Sequence, residues 1–162
     1  MCIRDSFSTS SSSASIPFTL KAAEEKYGID KSISTFTVPL GATINMDGTA
    51  IMQGCATFFL ASLYGIDLGI NEIITIVITA TIASIGTAGI PSAGIVMLTV
   101  IFTQIGIPLE GITLLLGVDR LLDMMRTSVN VSGDLCISCV IASSENKIDD
   151  KEKKQVELEK IF

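Results

Sequence analysis

The sequence has no histidine and no tryptophan, and aromatic residues make up only 6% of it. Without histidine there is no Ser-His-Asp triad, no His-ligated metal site and no commonplace general base, so no enzymatic reaction is expected. Charge is also missing where a soluble domain would carry it. Of 28 charged residues among 162, 11 fall within Ser143–Phe162. Between Lys31 and Asp67, 35 positions hold one charge, Asp47, and the 37 positions between Glu72 and Glu110 hold none. The net charge of −6 leaves no basic patch and excludes nucleic acid as a partner. Four cysteines are present, and Cys136 and Cys139 have CxxC spacing, but no second pair completes a zinc site. In an apolar helix they read as packing residues rather than a redox pair.

What is there is apolar. Hydrophobic residues reach 48% and mean hydropathy is +0.58. Long uncharged stretches ending in a charged tail point to an all-α membrane protein with a solvated end. The expected fold is two transmembrane helices plus re-entrant helical hairpins. Residues 1–6 contain no cleavable apolar core and read as a non-native or truncated start, with no element before the serine run. Residues 7–26 then form the end of a first hairpin. Residues 32–66 are one broken transmembrane helix, unwound around Asn45-Met46-Asp47-Gly48-Thr49. Residues 72–109 are too long for one span, at roughly 55 Å against a hydrocarbon core of about 30 Å, and too short for two. With Gly86-Thr87-Ala88-Gly89-Ile90-Pro91-Ser92-Ala93-Gly94 at their centre, they read as a re-entrant hairpin. Residues 110–142 form the last transmembrane helix, and residues 143–162 a charged tail. Lysines gather in the Lys21–Lys31 loop and in the tail, which places both on the cytoplasmic side and requires an even number of crossings between them.

The chemistry concentrates in three places. Asp119, Asp123, Arg126, Asn130 and Asp134 fall within an arc of about 80° on one helix face. Ionisable groups in a membrane span face a bundle interior or a substrate path. Asp123 and Arg126 could neutralise each other as a structural pair. As a site, they offer a carboxylate for an ammonium and a guanidinium fork for a carboxylate. The unwound Asn45–Thr49 segment exposes carbonyl oxygens suited to a small cation, with Asp47 as charge, and a simple glycine-containing kink is the plainer reading. The Gly86–Gly94 tip has no preceding strand or P-loop lysine, which excludes a phosphate loop. The Ser10–Ser13 run with Pro17 reads either as a linker or as another hairpin tip presenting N–H donors to an anion.

Ser10-Ser11-Ser12-Ser13-Ala14-Ser15-Ile16-Pro17, Asn45-Met46-Asp47-Gly48-Thr49, the Ser84–Gly94 tip and Asp123…Arg126-Thr127…Asn130…Gly133-Asp134 occur in this order. Together they resemble the dicarboxylate/amino acid:cation symporter family, which contains the glutamate transporters. The resemblance covers about Phe7 to Ala142. It implies a C-terminal fragment of an eight-helix, two-hairpin transporter that assembles as a homotrimer in the plasma membrane and works as an elevator. The implied function is symport of glutamate or aspartate with cations, sodium or protons, with no further cofactor. C4-dicarboxylate or neutral amino acid transport, or a non-functional fragment, are the alternatives.

The resemblance also implies roles. Asp123 would hold the substrate ammonium and Arg126 its side-chain carboxylate, with Ser11, Ser12, Thr49, Ile90, Gly94, Thr127 and Asn130 completing the pocket. One cation would lie with Asp134, Asn130, Asn45 and the carbonyl of Gly41. A second would lie among carbonyls of Thr43, Ser84, Ile85 and Thr87, and a third with Asp47 and Asn45. Pro91 and the neighbouring glycines would let the second hairpin act as an outer gate. Some members carry an arginine where this chain has Ser10, others a second arginine where it has Met124. Relatives specific for C4-dicarboxylates lack the aspartate at position 123, and neutral amino acid carriers lack the arginine at 126.

Overall fold

The computed structural model describes residues 2–148, and every regular element within them is helical. In chain order these are α1 (Cys2–Thr9), α2 (Ser12–Glu25), α3 (Lys31–Ile44), α4 (Asp47–Leu63), α5 (Ile70–Ile85), α6 (Ala93–Ile105), a 3₁₀ turn (Leu109–Gly111), α7 (Ile112–Leu116) and α8 (Asp119–Ser144). The all-α expectation holds. The charged tail expected over 143–162 lies outside the described residues from position 149 onward.

The helices break where local chemistry lets them. Ser10 takes a left-handed backbone (φ 52°), and Ser11 then caps α2 by accepting from the N–H of Ala14 at 3.1 Å. Asn45 and Met46 leave helical geometry with ψ of 70° and 59°, splitting the uncharged run into α3 and α4. The orphan N–H of Gly48, in the first turn of α4, donates at 2.8 Å to Asn130 Oδ1 on α8, a cap supplied by another helix. Gly48 is glycine for a contact reason: a Cβ there would lie 2.5 Å from the carbonyl oxygen of Arg126.

α5 and α6 form a hairpin whose tip is residues 86–92. Its lower part packs on α4 through Leu60, Ile76, Leu98, Ile101 and Phe102, all buried. A smaller cluster of Ala23, Ile29, Ile33 and Ala142 joins α2, α3 and the end of α8.

Three features differ from the sequence reading. A helix, α1, precedes the serine run and packs on α8 and α2. The last helix does not run unbroken from Gly111. A 3₁₀ turn and the short α7 come first, and the chain re-enters a helix only after Gly117 and Val118. Among the described residues, no single helix is long and apolar enough to cross a membrane. The breaks at 45–46 and 117–118 shorten the apolar runs, and α8 interrupts its own with charges.

Candidate functional site

The polar face of α8 points inward. Asp119, Asp123, Arg126, Thr127, Asn130 and Asp134 are all buried, while Val118, Leu121, Met125, Val129 and Ile137 on other faces are exposed. Burying charges costs several kcal/mol each unless they are paired, so each must find a partner. Arg126 Nη2 donates to Asp123 Oδ1, and Asp123 Oδ2 accepts from the N–H of Ser92 at 2.8 Å. Arg126 Nη1 has no partner and points at Gly94.

Beside Arg126, the residues Ser12, Thr49, Ile90, Thr127 and Asn130 line one cavity with Ser10, Met46 and the tip residues Thr87, Ala88 and Gly89, and Asp123 is not among the lining residues. Its volume is about 10 Å³, room for about one water. The two tips close it from above. Ser11 Oγ donates to the carbonyl of Gly89 at 2.7 Å, and the Ser13 N–H donates to the same oxygen at 3.1 Å. From below, Asn130 Nδ2 donates to Thr49 Oγ1 at 3.2 Å. Gly94 sits at the rim, where a Cβ would collide with the Arg126 guanidinium. The serine run is thus a tip facing the α5–α6 tip, not a linker.

The residues read as cation ligands divide into groups. Asn45 Nδ2 donates to Asp134 Oδ1 at 3.1 Å, and a Cβ on Gly41 would lie 2.5 Å from that same oxygen, so Gly41, Asn45 and Asp134 are together. Asp47 is exposed, yet it shares the Gly133 surface with Asn45: a Cβ on Gly133 would lie 3.1 Å from Asp47 Oδ2 and 2.9 Å from Asn45 Nδ2. Ser84, Ile85 and Thr87 lie at the end of α5, where the Ser84 carbonyl accepts from the Thr87 N–H at 3.2 Å. Thr43 is exposed and its hydroxyl turns back to Leu40. Gly89 brings the α5–α6 tip against the end of α3, since a Cβ there would lie 2.9 Å from the Ala42 carbonyl. No three His, Cys, Asp or Glu side chains cluster as a metal site among the described residues. The candidate donors are single carboxylates with amide and carbonyl oxygens.

Three residues at the site were not singled out for a role from sequence. Gln53 is fully buried and donates to the Gly94 carbonyl at 3.3 Å, tying α6 to α4. Asp119 was placed on the polar face but given no role, and its Oδ2 accepts from Ser92 Oγ at 2.6 Å. Ser92 was read only as part of the Gly86–Gly94 tip. A polar residue such as Gln53 in an apolar run was the available signal.

Broken helices whose ends and hairpin tips meet around a buried acid–base pair are the architecture of a secondary transporter's binding core. Residues 5–144 match the sodium:dicarboxylate symporter family. The chain is 48% identical to Excitatory amino acid transporter 3 of Mus musculus over 149 residues, which are 92% of this chain and 28% of that protein. It is 53% identical to Excitatory amino acid transporter 1 of Rattus norvegicus over 126 residues, 78% of this chain and 23% of that protein. The chain belongs to the sodium:dicarboxylate symporter family, and it spans about a quarter of the length of these relatives.

Proposed function

We propose that this chain forms the C-terminal part of the transport domain of a plasma-membrane symporter that carries glutamate or aspartate together with sodium. The observation that carries the reading is the Asp123–Arg126 pair, buried beneath two touching hairpin tips. The substrate's ammonium and side-chain carboxylate carry the same two charges as the pair, and its α-carboxylate adds a third. Its ammonium can replace the guanidinium on Asp123, and its side-chain carboxylate can replace Asp123 on Arg126. The exchange keeps Asp123 and Arg126 compensated, which limits its cost, and leaves the α-carboxylate to neutral hydrogen-bond donors. A dicarboxylate without an ammonium would leave Asp123 facing an anion, and a neutral amino acid would leave Arg126 unanswered. The names of the relatives agree with an acidic amino acid.

Cations would enter at Gly41, Asn45, Asn130 and Asp134, at the α3 and α5 ends bearing Thr43, Ser84, Ile85 and Thr87, and at Asp47 with Asn45. In this reading α3–α4 and α7–α8 cross the bilayer, α5–α6 is re-entrant, and the tail is cytoplasmic. The whole transporter is a homotrimer whose transport domain moves as an elevator. Exposed apolar residues such as Phe36, Phe59, Ile78, Ile82 and Val96 fit contact with lipid or with further helices.

The test is uptake of labelled aspartate by proteoliposomes holding the full-length transporter that carries this chain, with and without a sodium gradient. Sodium-driven uptake blocked by glutamate but not by succinate or serine is the expected result. Uptake that succinate competes equally would sink the amino acid assignment.

A further inference from the structure

We propose that Ser92 is a latch residue, its hydroxyl bond to Asp119 holding the α5–α6 tip closed over the cavity. The inference rests on the reading of that tip as a moving part of a transport site, and goes beyond it by naming what fastens it.

Ser92 stands at the N-cap of α6, where a serine hydroxyl ordinarily accepts from an N–H of the first turn. Here it makes no cap bond. Its backbone is left-handed (φ 61°), a conformation that a residue other than glycine keeps only when its surroundings hold it. What holds it is α8. The hydroxyl donates to Asp119 Oδ2 at 2.6 Å and the N–H donates to Asp123 Oδ2 at 2.8 Å, so two prongs of one residue grip two successive turns of α8.

Asp119 needs the contact as much as Ser92 does. It is 6% exposed, its Oδ1 has no partner, and among the described residues no Lys or Arg pairs with it. A buried carboxylate so poorly compensated binds strongly to the one hydroxyl that reaches it. Asp119 lies about two turns of α8 before Arg126, where that helix reaches the cavity. It is a positioning residue acting through the tip, not a substrate contact. The other ties of the hairpin, Ser11 to the Gly89 carbonyl and Gln53 to the Gly94 carbonyl, run to α2 and α4. Among the described residues, only Ser92 hydrogen-bonds the tip to the helix that carries Asp123 and Arg126. Lifting the tip therefore removes the hydroxyl from Asp119 and the N–H from Asp123 in one motion.

The test uses the full-length protein with its other cysteines replaced by serine and Ala88→Cys as a reporter on the tip. The rate of modification by a charged thiol reagent is read in sodium without amino acid. Ser92→Ala and Asp119→Ala should each raise the rate roughly tenfold, the population change expected on losing a hydrogen bond to a charged group. The double variant should be no faster than either single one, because both remove the same bond. Asp119→Asn keeps an acceptor and should give an intermediate rate. An unchanged rate in Ser92→Ala, or effects that multiply in the double variant, would overturn the latch. Labelling needs no transport, so a protein that takes up no amino acid refutes the transport reading without touching this result.

Discussion

Asp123 and Arg126 show how much one residue pair can specify. Each is buried to within a few per cent, each compensates the other, and among the described residues neither pairs with a second opposite charge. Replacing Arg126 by alanine leaves Asp123 as an uncompensated anion and removes the fork for a second carboxylate. Arg126→Ala should weaken binding of glutamate and aspartate by at least about 100-fold, the order expected on truncating one partner of a buried charge pair. In this variant, unlike the parent, serine should compete, because no buried guanidinium is left unanswered. Isothermal titration on the purified full-length protein checks this, and unchanged glutamate affinity would refute the assignment. Gly94 tests the same pair from outside. A Cβ there collides with the guanidinium, which is the end of a flexible side chain. Gly94→Ala should therefore displace Arg126 and weaken substrate affinity while leaving thermal stability close to the parent's. The two charges were legible in the sequence because ionisable residues three positions apart in an apolar run share a helix face. Gly94 was legible only as part of a helix breaker.

The elements depend on their breaks. The 37 uncharged positions between Glu72 and Glu110 require a hairpin on length alone, and α5 and α6 are its two arms. The α3–α4 break was also foreseen around Asn45–Thr49, and it falls at Asn45 and Met46. What closes it was not foreseen: Asn130, 82 residues away, caps α4 at Gly48. The tight seam there gives a stability prediction. Gly48→Ala drives a methyl into the Arg126 carbonyl, a backbone atom that can yield only by moving α8. It should cost about 1–3 kcal/mol, the usual range for overpacking, seen as a lower Tm in detergent. The tips are a second seam. In Gly89→Ala the methyl would lie 2.6 Å from Ser13 Oγ and 2.9 Å from the Ala42 carbonyl. The variant should hold the tips apart and speed substrate dissociation in a stopped-flow measurement. The sequence reading missed α1 and ran the last helix through Gly117. Cys2–Thr9 has weak helical signals of its own and forms against α8, while α7 and α8 part at Gly117 and Val118.

The chain as a whole has its polarity turned inward. Gln53, Asp119, Asp123, Arg126, Asn130 and Asp134 are buried, while Phe36, Phe59, Ile70, Ile82 and Val140 face outward. The connection between α2 and α3 is clasped to the residues that follow α8. Ile29 pairs with Ile148, the Asp30 N–H donates to the Lys147 carbonyl at 3.0 Å, and Lys147 Nζ donates to Ser32 Oγ at 3.2 Å. Asp30 caps α3 in this clasp. The Ser32 hydroxyl and then the Ser32 N–H hold its carboxyl below the usual carboxylate range, with Lys147 adding to the effect. A carboxyl depressed on folding adds stability above its unfolded value, and loses it as pH falls through the folded one. The parent should therefore lose Tm as pH falls below about 4, the range of an unfolded aspartate, and Asp30→Ala should flatten that limb. Identical acid limbs in the two proteins would show that the cap contributes nothing.

Some of this was determined by the order of residues alone. Uncharged runs of fixed length, glycine and proline at their centres and a 3.6-residue spacing of charges are local properties, and they set the hairpin, the break and the polar face of α8. Other features needed the fold. The sequence could not say that Ser11 would meet Gly89, that Asn130 would cap α4, or that Ser92 would turn its hydroxyl from its own helix to Asp119. Those contacts join residues 27 to 82 positions apart. Each exists because a buried polar group must find its partner wherever packing puts one within reach.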